Sequence, residues 1–338
     1  MHGKTLQTVG MLQHPLATDR PLMTPPKLYQ ICYSTETLAA CDPAFEPLDN
    51  LANPRPDWRE YWPMRAVLRE AGPEGEALTG FFSPRFASKT GITGRDVRAF
   101  IASRDADVYL FSPFFDHSAY YLNIFEQAEA NHPGITPTLR AAFAEIAPEV
   151  DLDRLVMSSR DTVFSNYLVA NGAFWAAWFE RAERLFDIAE GGASPLARLL
   201  NAEAPYVHAG AQAKVFVIER LASFLLNQGN WRVAVYNPMQ LGYGQSYAAN
   251  FKAELTQLDA LKIAWQTTGY RDYLDRFHSV RALIVQASQQ ERDQALRDRD
   301  HARKELQQAL AANAALQRTL SWRITWPLRA IRERLGAR

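Results

Sequence analysis

Two cysteines in 338 residues, Cys32 and Cys41, are too few for a disulfide framework or a cysteine-built metal site, and they fit a reducing compartment. An excess of charge is also missing. Lys+Arg 37 against Asp+Glu 37 leaves net charge +0, which argues against a nucleic-acid binder. No apolar run approaches the roughly 18 uninterrupted residues of a membrane span. Residues 1–26 carry no cleavable secretory signal; they are polar, with Pro15, Pro21, Pro25 and Pro26, and read as a disordered leader. These absences predict a cytoplasmic protein. Catalytic fingerprints are wanting too. There is no G-x-S-x-G elbow, no HExxH, no defensible Cys-His pair, no P-loop and no dinucleotide motif, so a hydrolase finds little support.

What is present is an ordinary globular composition, 47% hydrophobic and 12% aromatic. Lys27–Tyr33 alternates and is rich in aromatic and β-branched residues, which predicts a first strand. Residues 35–63 show no steady period and hold Pro43, Pro47, Pro54 and Pro56 before the cluster Trp58-Arg59-Glu60-Tyr61-Trp62. Such a long loop is either functional or pinned to the core by its tryptophans. In the first case the aromatics, Trp58 among them, with Arg59 and Glu60 would stack on and hydrogen-bond a sugar or base. Leu78–Pro84 predicts a second strand, followed at once by Arg85 and Lys89, two cations that could face a diphosphate or be solvated. Thr93 is placed to cap a helix over 95–103.

Residues 104–134 carry the densest polar chemistry. Val108–Phe111 is a short apolar run that predicts a buried strand ending at Ser112-Pro113. Asp116, His117, Asn123, Glu126 and His132 crowd its exit, where open α/β sheets bind ligands. Asp105-Ala106-Asp107 spells D-x-D, a pattern used to hold a divalent cation and a diphosphate, but it precedes the apolar run instead of following it. Downstream, helices are predicted over 138–149, 173–188, 195–204 and 215–226, with strands over 164–170 and 231–236. Glu219 and Arg220 interrupt the apolar 215–226 helix. They are either a structural ion pair or a functional carboxylate with its partner.

From about residue 280 the composition changes. Residues 281–320 lack Gly and Pro, carry i,i+4 pairs such as Asp293–Arg297, and place Leu306, Asn313 and Leu320 at one heptad position and Ala309 and Leu316 at the other. A short coiled coil that pairs two copies of the chain is the expectation, a solvated stalk the alternative. Residues 321–338 combine two tryptophans, aliphatics and five arginines, which suits an amphipathic tail at a membrane surface or a docking segment for a partner.

The motif Ser321-Trp-Arg-Ile-Thr-x-Pro-Leu-Arg329 after a charged coiled coil resembles the C-terminal extension of many bacterial glycosyltransferases of capsule and O-antigen synthesis. Residues 27–280 resemble a bacterial domain family from the same gene neighbourhoods and, distantly, GT-A-type glycosyltransferase-like domains. The matching pieces are Gly80–Phe86 with Lys89-Thr-Gly91, Asp107–Pro113, Asn123-x-x-Glu126-Gln127 through Gly134, Asn166–Ala170 and Phe216-x-x-Glu219-Arg220-Leu221. The resemblance implies an α/β fold, a GT-A-like (Rossmann-like) mixed sheet flanked by helices, followed by a C-terminal coiled-coil helix. It also implies binding of a nucleotide sugar; as an enzyme, the protein would move a sugar from that donor to a hydroxyl of a glycan or lipid-linked acceptor. The expected roles are Glu219 or Glu126 as the base, with Arg85, Lys89, Asn123, His132, Asn166, Trp58 and Arg59 holding substrate. Asp105, Asp107, Asp116 and His117 are the candidate ligands of a divalent cation, manganese or magnesium, should one be used. The rival expectation is a non-catalytic scaffold of the same fold that dimerises and docks partner enzymes.

Overall fold

The computed structural model describes residues 24–72, 77–203, 210–244, 246–318 and Thr325. Most of the expected leader 1–26, the end of the expected coiled coil and the tail 321–338 apart from Thr325 lie outside the described residues. Two compact units divide the chain, one through Arg281 and one from Ala282.

The first unit is built on a six-stranded mixed sheet flanked by helices. Its strands are β1 (Lys27–Cys32), β2 (Glu46–Asp49), β3 (Thr79–Phe82), β4 (Val108–Leu110), β5 (Leu168–Ala170) and β6 (Val233–Val235). They lie in the order β2-β1-β3-β5-β4-β6. β1 runs parallel to β2 and β3, and β4 parallel to β6, while β5 is antiparallel to both β3 and β4. The period-2 geometry of a strand sends neighbouring apolar side chains to opposite faces. Phe81, Val108, Leu110, Leu168 and Ala170 therefore join one core, and Phe82, Tyr109 and Val169 the other. Both faces are covered, which is why these strands read as unbroken apolar runs.

The larger core is completed by the helix Gly172–Gly191, capped by Asn171, whose Phe174, Trp175, Trp178, Ala182 and Leu185 are buried on one stripe as their spacing predicts. Thr93 caps the helix Gly94–Ala102 in a reciprocal capping box with Asp96. Other expectations need correction. The stretch 35–63 is no single loop, since it holds the short helix Thr35–Ala39, strand β2 and the start of the helix Tyr61–Ala71. Of 164–170 only the last three residues are strand; Ser165 and Asn166 turn left-handed before it. The helices Phe115–Tyr120, Ile124–Asn131 and Lys252–Thr268 lie where no helix is predicted.

The helix Arg271–Gln317 starts in the first unit and supplies most of the described second unit. Along its later turns Leu283, Leu296, Leu306, Leu310 and Leu316 are exposed. Among the described residues no helix is long and apolar enough to cross a membrane.

Gly80 marks a close approach between β3 and β5. A Cβ there would lie 2.6 Å from Val169 Cγ2 and 3.1 Å from the Leu168 carbonyl oxygen, so β5 can approach β3 only because position 80 has no side chain. Gly80→Ala is expected to destabilise the protein by roughly 1–3 kcal/mol in urea unfolding. The double variant with Val169→Ala should lose less than the two single losses added together.

Candidate functional site

The chain leaves β1 for β2 on one side and returns to β3 on the other, so the carboxyl ends of β1 and β3 flank a topological switch point. Crevices of this kind are where open α/β sheets take ligands. A cavity of about 750 Å³ lies there. Tyr33 enters it directly after β1, residues 53–61 after β2, and Lys89 after β3. Ser165 and Asn166 reach it on the way into β5, because an antiparallel strand begins where its parallel neighbours end. The opening turns of the helix Ala213–Gln228 supply Gln212, Val215, Ile218 and Glu219.

Strain is concentrated in this wall. Five described residues other than glycine have positive φ, and four of them line the cavity: Asn53, Arg59, Ser165 and Asn166. Each such conformation costs about 1–3 kcal/mol and persists only where the surroundings enforce it, typically at functional sites. Here the enforcement is visible. Trp58 is buried and donates its indole N–H to Glu190 at 3.0 Å. Tyr61 and Arg65 both bind Glu183, at 2.6 Å each. Lys214, buried, donates to Asp57 at 2.6 Å and to Asn201 at 2.9 Å. The Arg55 and Lys214 bonds hold the Asp57 carboxyl down at about 2. Thus the tryptophans do pin the 53–62 segment, and the pinned segment still faces the cavity.

Inside, two carboxylates face one lysine. Glu60 accepts a hydrogen bond from the Tyr33 hydroxyl at 3.2 Å. Burial, then the neighbouring Glu219 charge, push its carboxyl up from 4.5 to about 7, against the opposing pull of Lys89. Lys89 donates to Ser165 Oγ at 2.9 Å, and burial lowers its own ammonium despite Glu60 and Glu219. Glu219 takes one bond from Arg220 at 3.0 Å and keeps a partly exposed carboxylate in the cavity. Arg220 itself is buried, and its charged form is disfavoured by that burial.

Glu219, Lys89, Asn166, Trp58 and Arg59 are thus brought together by the fold. The other candidates stand elsewhere. Arg85 is exposed at the start of the Phe86–Thr90 helix, and its charge reaches Lys89. Asn123 caps the helix Ile124–Asn131 and donates to the Leu152 and Leu155 carbonyls. Glu126 binds Arg281 at 2.8 Å and the Leu122 N–H. His132 packs on Phe216 with ring centres 4.1 Å apart, and burial brings its imidazole down to about 4.

The four aspartate and histidine candidates do not form one group. Asp105 and Asp107 are clamped by Arg232 at 2.8 Å each, at the amino end of β4, across the sheet from the cavity. Asp116 is fully buried, accepting from the Gly244 N–H at 2.7 Å and from the Ser246 hydroxyl, with His117 Nε2 at 3.7 Å. Both sets hold loops in place. Among the described residues no group of three His, Cys, Asp or Glu side chains converges to hold a metal ion.

No family model, curated protein or solved structure matches the chain. The cavity therefore has to be read from its own chemistry. Glu60, which the sequence offers with Arg59 as a hydrogen-bonding group of the 58–62 cluster, belongs to it, as do Tyr33, Ser165 and Gln212, for which the sequence carries no signal.

The raised Glu60 carboxyl has a consequence for stability. The folded chain holds that proton more tightly than the unfolded chain, so stability is undiminished below about pH 4.5 and falls as pH rises through about 7. Between pH 4 and 8 the wild-type chain is expected to lose roughly 2–3 kcal/mol relative to Glu60→Gln in denaturant titrations. Parallel pH profiles for the two proteins would overturn the assignment.

Proposed function

We propose that the protein is a glycosyltransferase of GT-A-like fold that moves a sugar from a nucleotide-sugar donor in bacterial cell-surface polysaccharide synthesis. One observation carries the enzymatic reading: Glu60 and Glu219 converge with Lys89 in a strained cavity at the sheet's switch point. A scaffold has no use for two carboxylates kept close together, since their mutual repulsion only costs stability. The donor class and the polysaccharide setting rest on the resemblances in sequence.

In this reading Glu219 is the base. It takes the proton of an acceptor hydroxyl as that oxygen bonds to the anomeric carbon, and the bond from that carbon to the diphosphate oxygen breaks. Lys89, with Arg85 outside the cavity, offsets the charge that develops on the departing diphosphate. Asp105, Asp107, Asp116 and His117, the sequence candidates for a divalent cation, do not line the cavity, so charge compensation in this reading falls to Lys89 and Arg85.

Thermal melting of the full chain against nucleoside diphosphates and nucleotide sugars, with and without manganese or magnesium, tests the proposal. A ligand that binds only the folded state raises the melting temperature. A shift specific to one nucleotide sugar is expected, and Glu219→Gln should then cut transfer by roughly 10²–10⁴-fold while melting normally. No shift with any nucleotide would favour the second reading, a scaffold that pairs through residues 281–320. The exposed leucines of the Arg271–Gln317 helix are what favour that reading.

A further inference from the structure

Several side-chain N–H groups reach the cavity without a partner among the described residues. The Asn53 oxygen accepts from Asn50 at 3.4 Å, which leaves its own amide N–H groups over. Arg59 is exposed and makes neither a hydrogen bond nor an ion pair with a described residue. Lys89 gives one bond, to Ser165, and has further N–H groups to give. Asn166 is only 6% exposed; its Oδ1 is buried, and its amide N–H groups meet the cavity. Gln212 is arranged in the same way. It is also the N-cap of the 16-residue helix Ala213–Gln228, which no described side chain caps and whose first turn holds no acid. The Ala213 N–H is taken by the Ala202 carbonyl at 3.0 Å. The partial positive charge of this helix start adds to that of Lys89 and Arg59.

Three of these donors sit on strained backbone. φ is 35° at Asn53, 48° at Arg59 and 52° at Asn166, and Ser165, which holds Lys89, stands at 59°. Arg59 combines its φ with a ψ of −128°, a conformation ordinarily left to glycine. A polar side chain buried as far as Asn166 is normally hydrogen-bonded. Strain and missing partners on one wall are both explained by a ligand that brings acceptors. The cavity's own carboxylates are otherwise engaged. Glu219 has Arg220 at 3.0 Å, and Asp57 has Lys214 at 2.6 Å and Arg55 at 2.9 Å. Glu203 is exposed. Glu60 remains, with Glu219, Lys89, Tyr33 and Arg59 around it; burial and the Glu219 charge raise it to about 7. A proton taken up there removes its charge as an anion enters.

We infer that the cavity contains an oxyanion subsite, in which Arg59, Lys89 and the amide N–H groups of Asn166 and Gln212 bind the charged oxygens directly. A diphosphate and the carboxylate of an acidic sugar share this chemistry, and the subsite rests on the transferase reading only for which of them enters. In the first case Arg59 joins Lys89 in meeting the departing group. In the second the wall selects a charged sugar over a neutral one.

Calorimetry on the full chain in a chelating buffer tests the subsite with three probes: sulfate, inorganic pyrophosphate and glucuronate. At least one should bind at millimolar concentration. Arg59→Gln removes a charge-assisted bond, and Asn166→Asp puts a like charge where a donor stood. Each is expected to weaken that binding roughly tenfold while melting as the wild type does. Gln212→Glu carries the same expectation from the helix side should Asn166→Asp fail to fold. At about pH 8 Glu60→Gln should bind sulfate more tightly than the wild type, because the charged Glu60 opposes the anion. Pyrophosphate as the tightest probe points to a donor's diphosphate, and glucuronate to an acidic sugar. No binding by any probe, binding that appears only when manganese or magnesium is restored, or binding that all three wall variants leave unchanged would overturn the inference. Transfer from a nucleotide sugar by a chain that binds none of the probes would sink the subsite alone. Oxyanion binding without transfer to any acceptor would remove the transferase reading and leave the subsite standing.

Discussion

Strand β5 runs against its neighbours, and much of the site depends on that reversal. Leu168, Val169 and Ala170 join β3 to β4, the seam between the two parallel parts of the sheet. An antiparallel strand must begin at the end where parallel strands finish, so the residues leading into β5 arrive at the mouth where ligands are taken. Those residues are Ser165 and Asn166. The close approach rests on Gly80, and the short bond between the Ser83 and Tyr167 hydroxyls (2.5 Å) joins the same two segments beside the cavity.

The opposite wall is held by charge. Asp57 with Lys214 and Arg55, Glu190 with Trp58, and Glu183 with Tyr61 and Arg65 fasten residues 55–65 to the helices Gly172–Gly191 and Ala213–Gln228. Removing Asp57 costs more than its pair with Lys214 contributes, because the buried Lys214 charge loses its ion-pair partner. The network therefore serves position more than stability. It keeps Arg59 and Glu60 in place although one is backbone-strained and the other is a carboxyl in a poorly solvated setting.

The fold was legible wherever one segment contained its own instructions. The stripe of Phe174, Trp175, Trp178, Ala182 and Leu185, the Thr93–Asp96 cap and the apolar run at Val108 all translate directly into elements. Short helices such as Phe115–Tyr120 escaped because two turns are too few to establish a period. At the site, Lys89, Glu219, Asn166, Trp58 and Arg59 could be nominated by residue type and position. Asp105 with Asp107 could be nominated on the same grounds, yet they answer Arg232, 125 or more residues away in sequence. A motif states spacing along the chain, whereas a site requires convergence in space.

By itself the sequence determined the α/β class, the major helices, most of the strands and the change of composition near residue 280, since these follow from local periodicity and capping. Only the tertiary structure decided the direction of β5 and the company of Glu60, Glu219 and Lys89. Each of those depends on which distant segments share a wall. Hydrogen-bond partners and carboxyl desolvation are properties of that shared surroundings, and no local pattern of residues encodes them.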